Sequence, residues 1–248
     1  MRISISSTGD IDLNALCDLW RFALAVTQHQ CLPIIPAHME YLPLHNGIDR
    51  VSIWWDDYRA IVAHDGTEPT LRDWVSNARI CPNRDGIAEG TAEAVLNYDV
   101  AVCDILRGLP GRQIVQTGLS QGGQKAPVCA YYLKRLHHVS TDEVVTFGAP
   151  PCAVNEATLL PGTSWTRAVC GRDIVEIPCS DSKRGGTRVQ LDGPPNGDFP
   201  VIGPILCHDS YTYGLLLYSR KIGDREAEKC MLTLLEMGDQ KWRRLEGL

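Results

Sequence analysis

The stretch Ile114-Val115-Gln116-Thr117-Gly118-Leu119-Ser120-Gln121-Gly122 decides the fold of this chain. A mostly apolar run leads into a serine set between glycines, and a helix-forming stretch, Gln124 to Leu136, follows directly. Strand, sharp turn and helix form the setting that a nucleophile elbow requires. A serine there sits on a strained turn, and its hydroxyl projects above the sheet. Side chains at 118 and 122 would collide with the neighbouring strand and helix, which accounts for the glycines.

Outward from the elbow the pattern alternates. Asp10 to Thr27 reads as an amphipathic helix with Leu13, Leu16, Cys17, Trp20 and Leu24 at helical spacing. Pro33, Pro36 and Pro43 then mark a loop. Val51–Trp55 and Tyr58–Ala63 read as two strands around the turn Asp56-Asp57. Leu71, Trp74, Val75 and Ala78 form a short helical stripe. Gly86 to Leu109 reads as one long helix, with Ala88, Ala92, Val95, Leu96, Val102, Ile105 and Leu106 as candidate core. Strands follow at 113–117, 143–147 and 165–169. Ser180 to Asp198 reads as loop with at most a hairpin, and Arg225 to Met237 as a closing helix. This order predicts a mostly parallel central sheet with helices on both faces, in a single domain over residues 1–248.

Bulk properties narrow the function. The chain has 248 residues, 44% of them hydrophobic, and a net charge of −6. That acidic balance argues against nucleic acid as a partner, and Lys183-Arg184 is too short a basic run to reverse it; it reads as a solvated loop. No charged-then-apolar leader opens the sequence, and its apolar runs are too short to span a bilayer, so a cytoplasmic protein with at most peripheral membrane contact is expected. The ten cysteines are scattered beside apolar residues with no C-x-x-C spacing. Buried free thiols are expected from them, with neither disulfides nor a zinc site.

A serine hydroxyl needs a base, and the base needs an orienting acid. In proteins whose nucleophile elbow this stretch resembles, the acid and then the histidine come later in the chain. Three histidines follow Ser120. His137 and His138 fall at the far end of the helix behind the elbow and suit capping or surface roles. His208 is the candidate base; alone it would read equally as a structural histidine. Asp173 closely follows a strand, at the carboxyl edge where sites in open α/β sheets gather. Its plain alternative is a turn residue after Gly171. Asp142 precedes its strand and belongs to the opposite edge, while Asp181 and Asp192 are fallback acids. For the oxyanion hole, the Gln121 N–H is one donor. Thr67, in the loop His64-Asp65-Gly66-Thr67 after an early strand, is the other. No metal or cofactor is required.

These segments, in this order, resemble the class 3 lipase family, the fungal-lipase-like group with an α/β-hydrolase fold. Ala63-His64-Asp65-Gly66-Thr67 with Asp73-Trp74 is similar to the family's oxyanion loop and the tryptophan segment after it. Gly118 to Gly123 resembles its elbow, and Thr146-Phe147-Gly148-Ala149-Pro150 its strand-end signature. Cys170 to Val175 resembles the segment bearing the triad aspartate, and His208 with Tyr211 and Tyr213 resembles the late histidine. The likeness runs from about residue 50 to 215, with the helices at 10–27 and 225–237 outside it. Three positions depart: Asp65 stands for the family's usual Arg, Leu119 for His and Gln121 for Leu. Asp65 sets a negative charge beside the oxyanion loop, so it is expected to point outward or to have a partner.

The resemblance implies a carboxylic-ester hydrolase acting on a small-molecule ester or lipid, with Ser120, Asp173 and His208 as its triad. It also implies a lid at residues 69–80 bearing Leu71, Trp74, Val75 and Ala78, although Trp74 reads equally as core. So short a lid favours soluble or short-chain esters. Three alternatives stay open: acyl transfer or peptide hydrolysis on the same triad, a non-catalytic module binding an acyl ligand or a protein, and a membrane-surface role for Leu71 to Val75.

Overall fold

The computed structural model describes residues 12–28, 38–45, 49–66, 82–171, 173 and 183–191. The calls at residues 69–80 and 225–237 lie outside them. Among the described residues a seven-stranded sheet runs in the order β1-β2-β3-β4-β5-β6-β7. Its strands are β1 (Glu40–His45), β2 (Arg50–Trp55), β3 (Arg59–His64), β4 (Gln113–Leu119), β5 (Glu143–Phe147), β6 (Ser164–Cys170) and β7 (Thr187–Leu191). β1, β2 and β3 pair antiparallel, and β3 to β7 pair parallel. Register aligns the carboxyl ends of the parallel strands: His64 lies opposite Gly118, Leu119 opposite Phe147, and Cys170 opposite Leu191.

That order explains the layers. Parallel crossovers share one hand, so successive units stepping in one direction put their helices on one face. α2 (Glu89–Leu96), α3 (Asp99–Arg107) and α4 (Gln121–His137) accordingly share a core with Ile53, Val62, Val144 and Trp165. The other face is covered by α1 (Leu13–Gln28), whose Leu16, Trp20 and Leu24 are fully buried. α1 packs with Trp54, Ile61, Val115, Leu119, Val145 and Phe147, the alternate positions of the same strands. Asp12 caps α1, its carboxylate accepting from the N–H groups of Asn14 (3.0 Å) and Ala15 (3.2 Å).

Five expectations are corrected. The helix expected from Gly86 to Leu109 is two helices that break at Asn97-Tyr98, because the Tyr98 ring turns into the core and its hydroxyl meets His64. Leu96, expected in the core, is left exposed beside the break. Pro43 lies in β1 rather than in a loop; this end strand tolerates a residue that cannot donate to a ladder. The segment after Ser180 supplies β7, paired parallel with β6, and not a hairpin. Arg184 is buried against Glu156 (2.8 Å) rather than solvated. Of the cysteines, Cys103, Cys129 and Cys152 are buried free thiols, and Cys17 and Cys170 are buried as well.

Candidate active site

β4 ends at Leu119, α4 begins at Gln121, and Ser120 makes the turn between them at φ 55° and ψ −124°. Among the described non-glycine residues, only Ser120 and His138 have positive φ. His138 is the left-handed cap of α4, an ordinary place for that conformation. Ser120 combines positive φ with a ψ far from the left-handed helical well, a backbone state that costs about 1–3 kcal/mol. Two backbone bonds hold it there. Its N–H donates to the Phe147 carbonyl (2.9 Å), and its own carbonyl accepts from the Gln124 N–H (3.2 Å).

The glycines act as expected from the sequence. A Cβ on Gly118 would lie 2.2 Å from the carbonyl carbon of Gly122, in the first turn of α4. One on Gly122 would lie 2.1 Å from the carbonyl oxygen of His64, at the end of β3. One on Gly123 would lie 2.8 Å from the Ala149 Cβ. The elbow is therefore packed backbone-to-backbone against both the sheet and the chain leaving β3.

Asp65, immediately beyond β3, has the partner that its charge demands. Lys125 Nζ donates to Asp65 Oδ1 at 2.9 Å and to Asp49 Oδ1 at 2.8 Å. The Lys125 side chain is 3% exposed, so one ammonium is shared by two carboxylates with little water around it. Burial pushes the Asp65 carboxyl above its usual range, against the opposing pull of Lys125. Gln124, one residue earlier, is also buried; it accepts from Thr91 Oγ (2.9 Å) and donates to the Pro151 carbonyl (2.6 Å).

His64 closes β3 in a buried polar cluster. Its Nδ1 lies 2.9 Å from the Tyr98 hydroxyl, and its Nε2 lies 2.7 Å from Gln116 Oε1. Gln116 Nε2 in turn donates to Thr141 Oγ (3.3 Å). Burial pushes the imidazole pKa down to about 3, so His64 is neutral at pH 7 and serves as a fixed hydrogen-bonding node.

Asp173 lies beyond β6, two strands from the elbow, which is about 10 Å across the sheet. It is buried, and its N–H donates to the Cys170 carbonyl (3.0 Å). Ser120, Gln121 and Asp173 thus share the carboxyl edge of the sheet. Asp142 is at the opposite edge, its carboxylate accepting from the Ile114 N–H (2.8 Å). His137 meets Asp99 (2.8 Å) at the far end of α4. Thr67, His208, Leu71, Trp74, Val75, Ala78, Asp181 and Asp192 lie outside the described residues.

Together the sheet and the elbow give the α/β-hydrolase fold, a mixed and mostly parallel sheet with a serine turn at its carboxyl edge. Solved structures with a similar fold include fungal lipases. A Rhizomucor miehei lipase in a propeptide complex superposes with a TM-score of 0.61 at 17% identity, over 73% of this chain and 67% of that one. A Rhizopus microsporus lipase gives 0.58 at 17% identity, covering 72% of this chain and 74% of its own. A Penicillium expansum triacylglycerol lipase gives 0.56 at 17%, covering 73% and 81%. No family model matches the chain, and no curated protein matches it in sequence. At this identity the likeness is one of fold.

Sequence reasoning missed Lys125, Asp49, Gln116 and Tyr98. The Lys125 signal was present: an ammonium opening a stretch that continues Ala126-Pro127-Val128-Cys129-Ala130 will be buried, and a buried ammonium needs an acid. Asp65 was the acid in search of a partner.

Proposed function

We propose that this protein is a serine carboxylic-ester hydrolase that works through an acyl-enzyme. The observation that carries the reading is Ser120 itself, held at positive φ between two obligatory glycines on the edge where such sheets place their chemistry. Nothing in folding alone calls for a non-glycine residue in so costly a conformation. Supporting it is a fold shared with triacylglycerol lipases, for one of which a serine-protease-type triad is described as the catalytic centre.

In this reading the Ser120 hydroxyl attacks the ester carbonyl, and His208 accepts its proton and returns it to the leaving alcohol. Asp173 orients the imidazole and stabilises its charged form. The oxyanion is met by the Gln121 N–H and by Thr67. Gln121 opens α4, where backbone N–H groups have no acceptor within the helix and the helix dipole favours negative charge. Water then enters on the same base and releases the acid, with no metal or cofactor in the cycle. The substrate is an acyl ester, with short-chain or soluble esters preferred and a cytoplasmic setting.

Asp65 and the altered elbow flanks, Leu119 and Gln121, are what speak for a non-catalytic binding module. The pairing of Asp65 with Lys125 gives its charge a partner and weakens that alternative. The test is hydrolysis of p-nitrophenyl esters from acetate to palmitate by wild type and Ser120→Ala. Activity lost in a folded variant supports the reading, and retained activity overturns it.

A further inference from the structure

We propose that Lys125 is a positioning residue of the ester-hydrolysing site, fixing the loop that leaves β3 against the helix that follows Ser120; the inference rests on the hydrolase reading above. Three observations meet here. Lys125 stands five residues after Ser120 on α4, so it is rigidly connected to the elbow. Its ammonium binds Asp65, the residue that opens the loop leading to Thr67, and Asp49, just before β2. The loop also rests on the elbow without a side chain between them, since a Cβ on Gly122 would strike the His64 carbonyl oxygen and approach the Asp65 carbonyl carbon (2.9 Å).

One side of the oxyanion site is attached to α4, through the Gln121 N–H. The other side, in that reading, is Thr67, two residues beyond Asp65 in the sequence. A contact of about 3 Å to a developing oxyanion demands that the two sides keep a fixed separation. The Lys125–Asp65 pair ties α4 to the residue from which the chain runs on toward Thr67. Bonds to an oxyanion form only in the transition state, so a displaced loop lowers kcat and leaves KM nearly unchanged. Misplacement by about 1 Å is enough for a loss of about 100-fold. A purely structural ion pair has a different signature: loss of folded protein, with each remaining molecule at full activity.

The experiment compares Lys125→Met, Lys125→Arg and Asp65→Asn with wild type. It measures kcat and KM for p-nitrophenyl butyrate per folded molecule, together with amide hydrogen exchange. Expected for Lys125→Met is a kcat lower by about 10–100-fold with KM within about twofold, and faster exchange at Gly66 and the amides after it. Lys125→Arg restores most of the rate, and Asp65→Asn, the gentler variant should Lys125→Met fail to fold, lies between. Unchanged kcat per folded molecule, or equal changes in kcat and KM, overturns the inference. If wild type neither hydrolyses the ester nor reacts at Ser120, the hydrolase reading fails and the catalytic role falls with it. Hydrogen exchange then still decides whether Lys125 holds the loop, and unchanged exchange refutes that part too.

Discussion

Replacing Ser120 by alanine and by glycine isolates the elbow's strain. Both changes remove the hydroxyl, so its bonds cancel in the comparison, and only the Cβ differs. Alanine must adopt φ 55° and ψ −124°, whereas glycine is at ease there. The strain relieved is about 1–3 kcal/mol. Against it stands the larger freedom of glycine in the unfolded chain, about 0.4–1 kcal/mol. Ser120→Gly is therefore expected to be more stable than Ser120→Ala by about 0.5–2 kcal/mol, a few degrees in Tm for a chain of this length. Urea unfolding followed by circular dichroism measures the difference. Ala101→Gly, on the exposed side of α3, supplies the control, because there glycine should cost about 1 kcal/mol. If Ser120→Ala proves as stable as Ser120→Gly, the turn is not strained and the argument from the elbow fails.

Other outcomes follow from the same geometry. His64 is neutral in the fold with a pKa of about 3, and in the unfolded chain it takes a proton near 6.5. Its contribution to stability is complete above pH 6.5 and is lost as pH falls toward 3, up to about 5 kcal/mol in all. His64→Gln should flatten the acid limb of stability, by at most about 1.4 kcal/mol per pH unit in that window. Asp65, with its raised pKa, slopes the other way above 3.8 in both proteins and so cancels in the difference; unaltered acid sensitivity in the variant would refute the assignment. Gly122→Ala should prevent soluble expression or destabilise severely, since its Cβ meets backbone at 2.1 Å; Gly90→Ala, whose Cβ meets nothing within 4 Å, should be neutral or stabilising in the same assay. Arg184→Met leaves the buried Glu156 carboxylate without its ion partner (2.8 Å) and should cost about 3–5 kcal/mol in urea unfolding, with Arg184→Met/Glu156→Met recovering much of it.

What the sequence disclosed was local. The elbow demands particular residues within five positions, and strands 50–64 and 143–170 carry their own apolar, β-branched runs, so these parts were legible. The break at Tyr98 was not, because helix propensity runs through it and the cause is a hydrogen bond to His64, thirty-four positions away. β7 was overlooked among charged and glycine-rich neighbours. Its alternation, with Val189 and Leu191 buried and Arg188 and Gln190 exposed, was readable, but Gly185 and Gly186 looked like loop. In the fold they let the backbone lie against Trp165, where a Cβ on Gly185 would come within 2.1 Å of the ring. The site divided similarly. The places of Ser120 and Asp173 at the carboxyl edge of the sheet, and a partner for Asp65, were foreseeable from chain order and charge. The choice of Lys125 as that partner was set by how α4 packs over the end of β3.

The central claim, an activated serine at position 120, is tested most directly by intact-mass spectrometry after treatment with a fluorophosphonate, run with and without detergent. A single covalent adduct on wild type, absent from folded Ser120→Ala and strongly slowed in His208→Ala, is the predicted result. A folded wild-type protein that stays unlabelled in both conditions, or an adduct that persists in Ser120→Ala, would contradict it.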